Sequence, residues 1–152
     1  MVQVEPPDDG VPADGQPAGA DAGWLVVDAL NVIGSRPIGW WRDRPAAIRA
    51  FAATLRRYAE RTGTPITVVV DGRPLPDLSE GRHGPLEVSY ARRSGHDAAD
   101  DRIVELLVER GQPARVVTAD RDLRERVEAL GGRTVGPGTL LRALDRLDED
   151  GK

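Results

Sequence analysis

Three continuous apolar runs in this chain each close on an aspartate: Leu25-Val26-Val27 before Asp28, Val68-Val69-Val70 before Asp71, and Val116-Val117-Thr118-Ala119 before Asp120. Runs apolar at every position suit strands covered on both faces, as parallel sheets are. Helical patterns separate them. Residues Pro45–Arg61 carry Ile48, Phe51, Leu55 and Tyr58 at helical spacing, with Pro45 suited to the first turn and Gly63 to the stop. Asp97–Arg110 turns Ile103, Leu106 and Leu107 inward ahead of Gly111, with Asp97 as a candidate N-cap. Arg121–Leu130 is a helix closed by Gly131-Gly132, and Thr139–Leu147 is a last helix. Ile66–Val70 and Arg115–Thr118 read as strands, and Leu86, Val88 and Tyr90 alternate as in a short strand. Arg133–Val135 reads as another, and Gly34–Arg44 and Arg73–Pro85 read as loops. This alternation implies an α/β domain of three layers, with helices on both faces of a mainly parallel central sheet. In such sheets the functional site lies beyond the carboxyl ends of the strands, where these aspartates stand.

The 152 residues suit one domain with a tail. Residues 1–22, rich in Pro, Gly, Asp and Ala, are expected to be a disordered acidic tail. Residues 23–147 form the domain, and 148–152 are expected to fray. The net charge of −4 is uneven: residues 1–21 hold five of the 25 acids and no base, leaving 21 basic against 20 acidic residues. All the bases but Lys152 are arginines, which can fork onto phosphates and stack on bases. Cysteine is absent, which excludes disulfides and thiolate metal sites. No apolar run approaches the roughly 20 residues that cross a bilayer, and the N-terminus has no export signal, so a cytoplasmic location and no membrane partner are expected.

Parallel topology brings Asp28, Asp71 and Asp120 to one sheet edge, and Asp100 and Asp101, in the first turn of a helix, join them. Asp122 follows two residues after Asp120. Clustered carboxylates repel one another unless a cation joins them. Oxygen donors without Cys and with almost no His suit Mg²⁺ or Mn²⁺, whose chemistry at such a site is phosphodiester hydrolysis. Each Asp, taken alone, is also an ordinary turn or N-cap residue, and Asn31 could be a turn residue in the left-handed region. Asp101 could serve only the helix dipole.

The segments VVDALN (Val26–Asn31), VVVDG (Val68–Gly72), AADDRIVELL (Ala98–Leu107) and VVTADRDLRERVEALGG (Val116–Gly132) resemble, in order, the NYN branch of the PIN-like ribonucleases, and within it the bacterial YacP-like members. The resemblance implies a Rossmann-like, PIN-like sheet and a Mg²⁺- or Mn²⁺-dependent endoribonuclease leaving 5′-phosphate and 3′-hydroxyl ends. By position it implies metal ligation by Asp28, Asp100 and Asp120 and a water- or substrate-orienting role for Asn31. Asp101 and Asp122 would complete the catalytic set. Arg124 stands where some relatives carry a further acid, with Asp122 as its substitute; Asp71 matches loosely and is accessory.

The loop after the first acid holds Arg36, Trp40, Trp41, Arg42 and Arg44. Arginine for phosphate and tryptophan for stacking suit single-stranded RNA, which a ribosome could present as mRNA. At least one of the two tryptophans is expected to be structural. Arg73 and the group Arg92, Arg93 and His96 are further candidates for holding phosphate. Metal-free catalysis by His83 and His96 lacks an orienting carboxylate. An aspartyl phosphatase would want an Asp where Leu30 stands, and no phosphate-binding G-x-x-x-x-G-K-[ST] loop occurs. A non-catalytic RNA- or protein-binding module on the same fold is the alternative.

Overall fold

The computed structural model describes residues 23–36, 39–92 and 97–150. The 1–22 tail, Arg93, His96 and residues 151–152 lie outside the described residues. Strands β1 (Trp24–Asp28), β2 (Ile66–Val70), β3 (Gly81–His83), β4 (Leu86–Tyr90), β5 (Ala114–Val117) and β6 (Arg133–Val135) form one sheet in the order β3-β4-β2-β1-β5-β6. All neighbours are parallel except the β3–β4 pair. β1 is central: Asp28 pairs with Val69 of β2, and Val27 with Val117 of β5.

Helices α1 (Ala29–Gly34), α2 (Arg44–Thr62), α3 (Ala98–Arg110), α4 (Arg121–Ala129) and α5 (Pro137–Asp150) cover the sheet. Strand periodicity sends alternate residues to opposite faces. Leu25 and Val27 pack with Val32 of α1, Leu55 of α2 and Leu140 of α5, while Trp24 and Val26 pack with Ile103 of α3 and Leu123 of α4. These are the three layers expected, and both faces of β1 are buried along its whole length.

Local chemistry sets the element ends. Asp43 accepts the Ala46 N–H at 3.1 Å and caps α2, whose second residue is Pro45. α2 stops at Gly63, whose φ of +75° a side chain would resist. Asp97 sits at the N-cap of α3, but its side chain makes no cap bond; its backbone carbonyl accepts the Asp101 N–H instead.

Several elements differ from the sequence reading. The segment after Asp28 winds at once into α1, a helix too short at six residues to show a periodic signal, and Trp40–Asp43 forms a 3-10 turn. The Arg73–Pro85 loop contains β3, which adds to β4 through the hairpin turn at Gly84. α5 runs on to Asp150, beyond the expected end at Leu147, and Asp148 on this last turn pairs with Arg57 of α2 at 2.7 Å. None of the described helices is long and apolar enough to cross a membrane.

Ile103 is fully buried between α3 and the sheet. Ile103→Ala should cost about 2–5 kcal/mol of unfolding free energy, read from urea denaturation, because the void cannot fully collapse.

Candidate active site

The strand order reverses at β1 and β5: from β1 the chain moves outward to β2 and β4, then returns to lay β5 on the other side. The crevice beyond their carboxyl ends is the binding position this topology creates. Asp28 ends β1 there. It is buried, and the Thr118 hydroxyl donates to its Oδ2 at 3.2 Å. Thr118 Oγ1 also accepts the Asp120 N–H at 3.1 Å, so one buried hydroxyl joins the two strand ends.

Burial pushes the Asp28 carboxyl up to about 6. The Thr118 bond and the Asn31 backbone N–H oppose the rise, while the charges of Asp120 and Asp71 add to it. Asp100, in the first turn of α3, is pushed up to about 7, first by burial, then by Asp120, Asp28 and Asp97, with Arg126 opposing. Asp28, Asp100 and Asp120 thus act on one another electrostatically, as the strand-end argument requires. Asp120 also caps α4, its Oδ1 accepting the N–H groups of Asp122 at 2.9 Å and Leu123 at 3.3 Å. The capping use and the charge coupling coexist in this residue.

The remaining sequence candidates fall into separate roles. Asn31 lies in helix α1, not in a left-handed turn, and its Oδ1 accepts the Ala119 N–H at 2.8 Å, tying the loop that carries Asp120 to the start of α1. Asp101 pairs with Arg126 at 3.1 Å. Asp122 lines a groove of about 490 Å³ with Asp97, Asp100, Glu125 and Arg126. The Asp71 backbone carbonyl accepts a hydrogen bond from Arg44.

Among the loop residues, Arg36 is engaged by another element: it pairs with Asp145 of α5 at 2.7 Å and holds that carboxyl below its ordinary range. Trp40 packs against the core, while Trp41 is 57% exposed and meets it edge-on, ring centroids 6.2 Å apart. Arg42 and Arg73 are exposed, and Arg92 lies 3.8 Å from Glu105. His83 sits on β3, near the sheet margin, with its Nε2 bonded to the Ser79 carbonyl at 2.6 Å.

Thr118 is the site-edge residue that the sequence reading does not single out; a hydroxyl two residues before Asp120, at the end of an apolar run, is the available signal. Arg44 is grouped in the sequence with the other loop arginines, and its partner Asp71 lies 27 residues away.

Among the described residues, no three His, Cys, Asp or Glu side chains form a preformed metal-ligating group. The donor chemistry still fits a hard divalent cation. Mg²⁺ takes one or two carboxylates and fills its remaining positions with water and substrate oxygens. Two buried carboxylates with raised pKa values are an uncompensated charge of the right kind.

The profile of the YacP-like NYN domain family matches residues 25–152. Two UPF0178 proteins from different strains of Vibrio cholerae serotype O1 are each 39% identical over 98 residues, which is 64% of this chain and 60% of theirs. The chain therefore spans about three fifths of the length of these curated relatives. The crystal structure of Rae1 (YacP) from Bacillus subtilis superposes with a TM-score of 0.63 at 23% identity, covering 83% of this chain and 75% of that one. A tryptophan-to-leucine mutant of the same protein gives 0.67 at 22%, covering 84% and 77%. These likenesses establish the shared mixed α/β fold.

A carboxyl whose folded pKa is raised binds its proton more tightly in the folded than in the unfolded state, so stability falls as pH rises from about 4 through about 6. In metal-free protein at pH 8, Asp28→Asn should therefore raise stability by about 2–3 kcal/mol, with the difference closing near pH 4. Thermal unfolding at the two pH values checks both the sign and the window.

Proposed function

The chain belongs to the YacP-like NYN domain family, a family of ribonuclease type, and on that footing we propose that it is a metal-dependent endoribonuclease. The observation that carries this reading is the coupled pair of buried carboxylates, Asp28 and Asp100, with Asp120 beside them at the reversal point of the sheet. Asp28, Asp100 and Asp120 would hold Mg²⁺ or Mn²⁺. Such a cation polarises a phosphodiester, lowers the pKa of a water and stabilises the leaving oxygen.

The chain's own residues do the positioning. Thr118 fixes the Asp28 carboxylate through its hydroxyl, and Asn31 fixes the loop that carries Asp120. The exposed face of Trp41 offers a stacking surface for one base, worth roughly 1–3 kcal/mol. The substrate is single-stranded RNA, free or as mRNA on a ribosome. In the hydrolysis, the water oxygen bonds to phosphorus, the bond from phosphorus to the 3′ oxygen breaks, and that oxygen takes a proton. The products are a 5′-phosphate and a 3′-hydroxyl. Asp101, held by Arg126, and Asp122 on the groove wall would position water in the outer shell of the site.

End-labelled single-stranded RNA should be cut by the purified chain in Mn²⁺, and cutting should stop in EDTA. Asp28→Asn should lower the rate by more than about 100-fold with the fold intact by circular dichroism. Binding of RNA without cleavage in Mn²⁺ would support the non-catalytic module instead. Cutting that survives EDTA and Asp28→Asn would place the chemistry elsewhere.

A further inference from the structure

The arginines near the site are not equivalent. Arg36 is paired with Asp145, and Arg42 and Arg73 stand in solvent. Arg44 differs. It is half-buried at the first position of α2, and its Nη2 donates to the backbone carbonyl of Asp71, at the carboxyl end of β2. That bond is its only hydrogen bond or ion pair among the described residues. A guanidinium has five N–H donors in one plane. Fastening one of them to a carbonyl fixes the plane and leaves the others at the sheet edge without an acceptor among the described residues.

Gly72 explains how the group comes so close. A Cβ at this position would lie 2.9 Å from Nη1 and 3.0 Å from Nη2 of Arg44, and the φ of +117° is one that side chains resist. The guanidinium therefore lies directly on the Gly72 backbone. The sequence Asp71-Gly72 thus supplies both the acceptor and the clearance.

The other flank of the site has the opposite character. Asp97, Asp100, Asp122 and Glu125 line the groove between α3 and α4, and its one arginine, Arg126, is paired with Asp101. A polyanion crossing the strand ends is repelled on that flank and attracted on the Arg44 flank.

We infer that Arg44, seated on Gly72 and held by the Asp71 carbonyl, binds a backbone phosphate of RNA flanking the cleavage point, so that the strand runs along the β2 side of the site. This rests on the ribonuclease reading and adds the path of the substrate. Arg44 is a binding residue for a neighbouring phosphate, not a participant in bond breaking.

The test uses the full chain. Anisotropy of a short fluorescein-labelled single-stranded RNA is measured in EDTA across a salt series, and cleavage kinetics are measured in Mn²⁺. Arg44→Ala should weaken binding roughly tenfold and reduce the slope of log K against log salt by about 0.7. KM should rise with kcat within about twofold of wild type. Gly72→Ala should weaken binding in the wild-type background and add little once Arg44 is gone, a non-additivity that general damage would not produce. Arg61→Ala removes the same charge at the far end of α2, roughly 25 Å away, and should leave the salt slope unchanged. Thermal unfolding of each variant confirms the fold, and Arg44→Gln replaces Arg44→Ala if the latter is unstable. Affinity and salt slope equal to wild type in a folded Arg44 variant, with wild-type cleavage intact, would overturn this assignment alone. A wild-type chain that neither binds nor cuts RNA would remove the ribonuclease reading and the assignment with it.

Discussion

A carboxylate buried beside a second carboxylate is unfavourable twice over, once for lost water and once for repulsion. Asp28 and Asp100 carry both burdens. They are held together because their positions are not free to relax. Asp28 is the last residue of a strand with β2 on one side and β5 on the other, and Asp100 starts a helix anchored on the sheet by Ile103 and Leu106. The apolar contacts of each layer, about 1.5–3 kcal/mol for a fully buried large side chain, supply the free energy that keeps the charges in place. The site is therefore strained by charge, while its backbone is ordinary strand and helix.

The parts of this arrangement that were legible in the sequence are those that follow from period and topology. Strands apolar at every position must be buried on both faces, parallel strands align their carboxyl ends, and an Asp after each run lands on one edge. That reasoning puts Asp28, Asp100 and Asp120 at one edge of the sheet, and the mainly parallel α/β fold it implies is the one found. It was silent where a role depends on a partner distant in sequence. Arg36 reads in the sequence as a phosphate ligand, and in the structure it pairs with Asp145, 109 residues later. Asn31 reads in the sequence as an orienting residue of the site or as a turn residue, and in the structure its amide oxygen accepts the Ala119 N–H, 88 residues on. Short elements were also opaque: α1 has six residues and β3 has three, fewer than a period needs to declare itself. The pair Trp40 and Trp41 divided as aromatic burial suggests, one ring packed on the core and one mostly exposed.

Asp120 shows why a residue can satisfy a structural account and a chemical one together. Its Oδ1 is occupied by two backbone N–H groups of α4, which stabilise the helix end. The same charge raises the pKa of both Asp28 and Asp100. Capping fixes where the negative charge sits, so the helix start doubles as a mount for it. Thr118 then couples this mount to β1 through a single hydroxyl that accepts from one strand end and donates to the other.

The two margins of the sheet are both minimal. β3 and β6 have three residues each, and each carries an exposed arginine, Arg82 on one and Arg133 on the other. A short cationic margin gives a neighbouring molecule few free backbone groups to pair with and repels an identical margin approaching it. A sheet of five ladders thus ends at both sides in very little chain. Among the described residues, a second copy approaching either margin therefore finds only three strand positions to pair with, beside an arginine of its own sign.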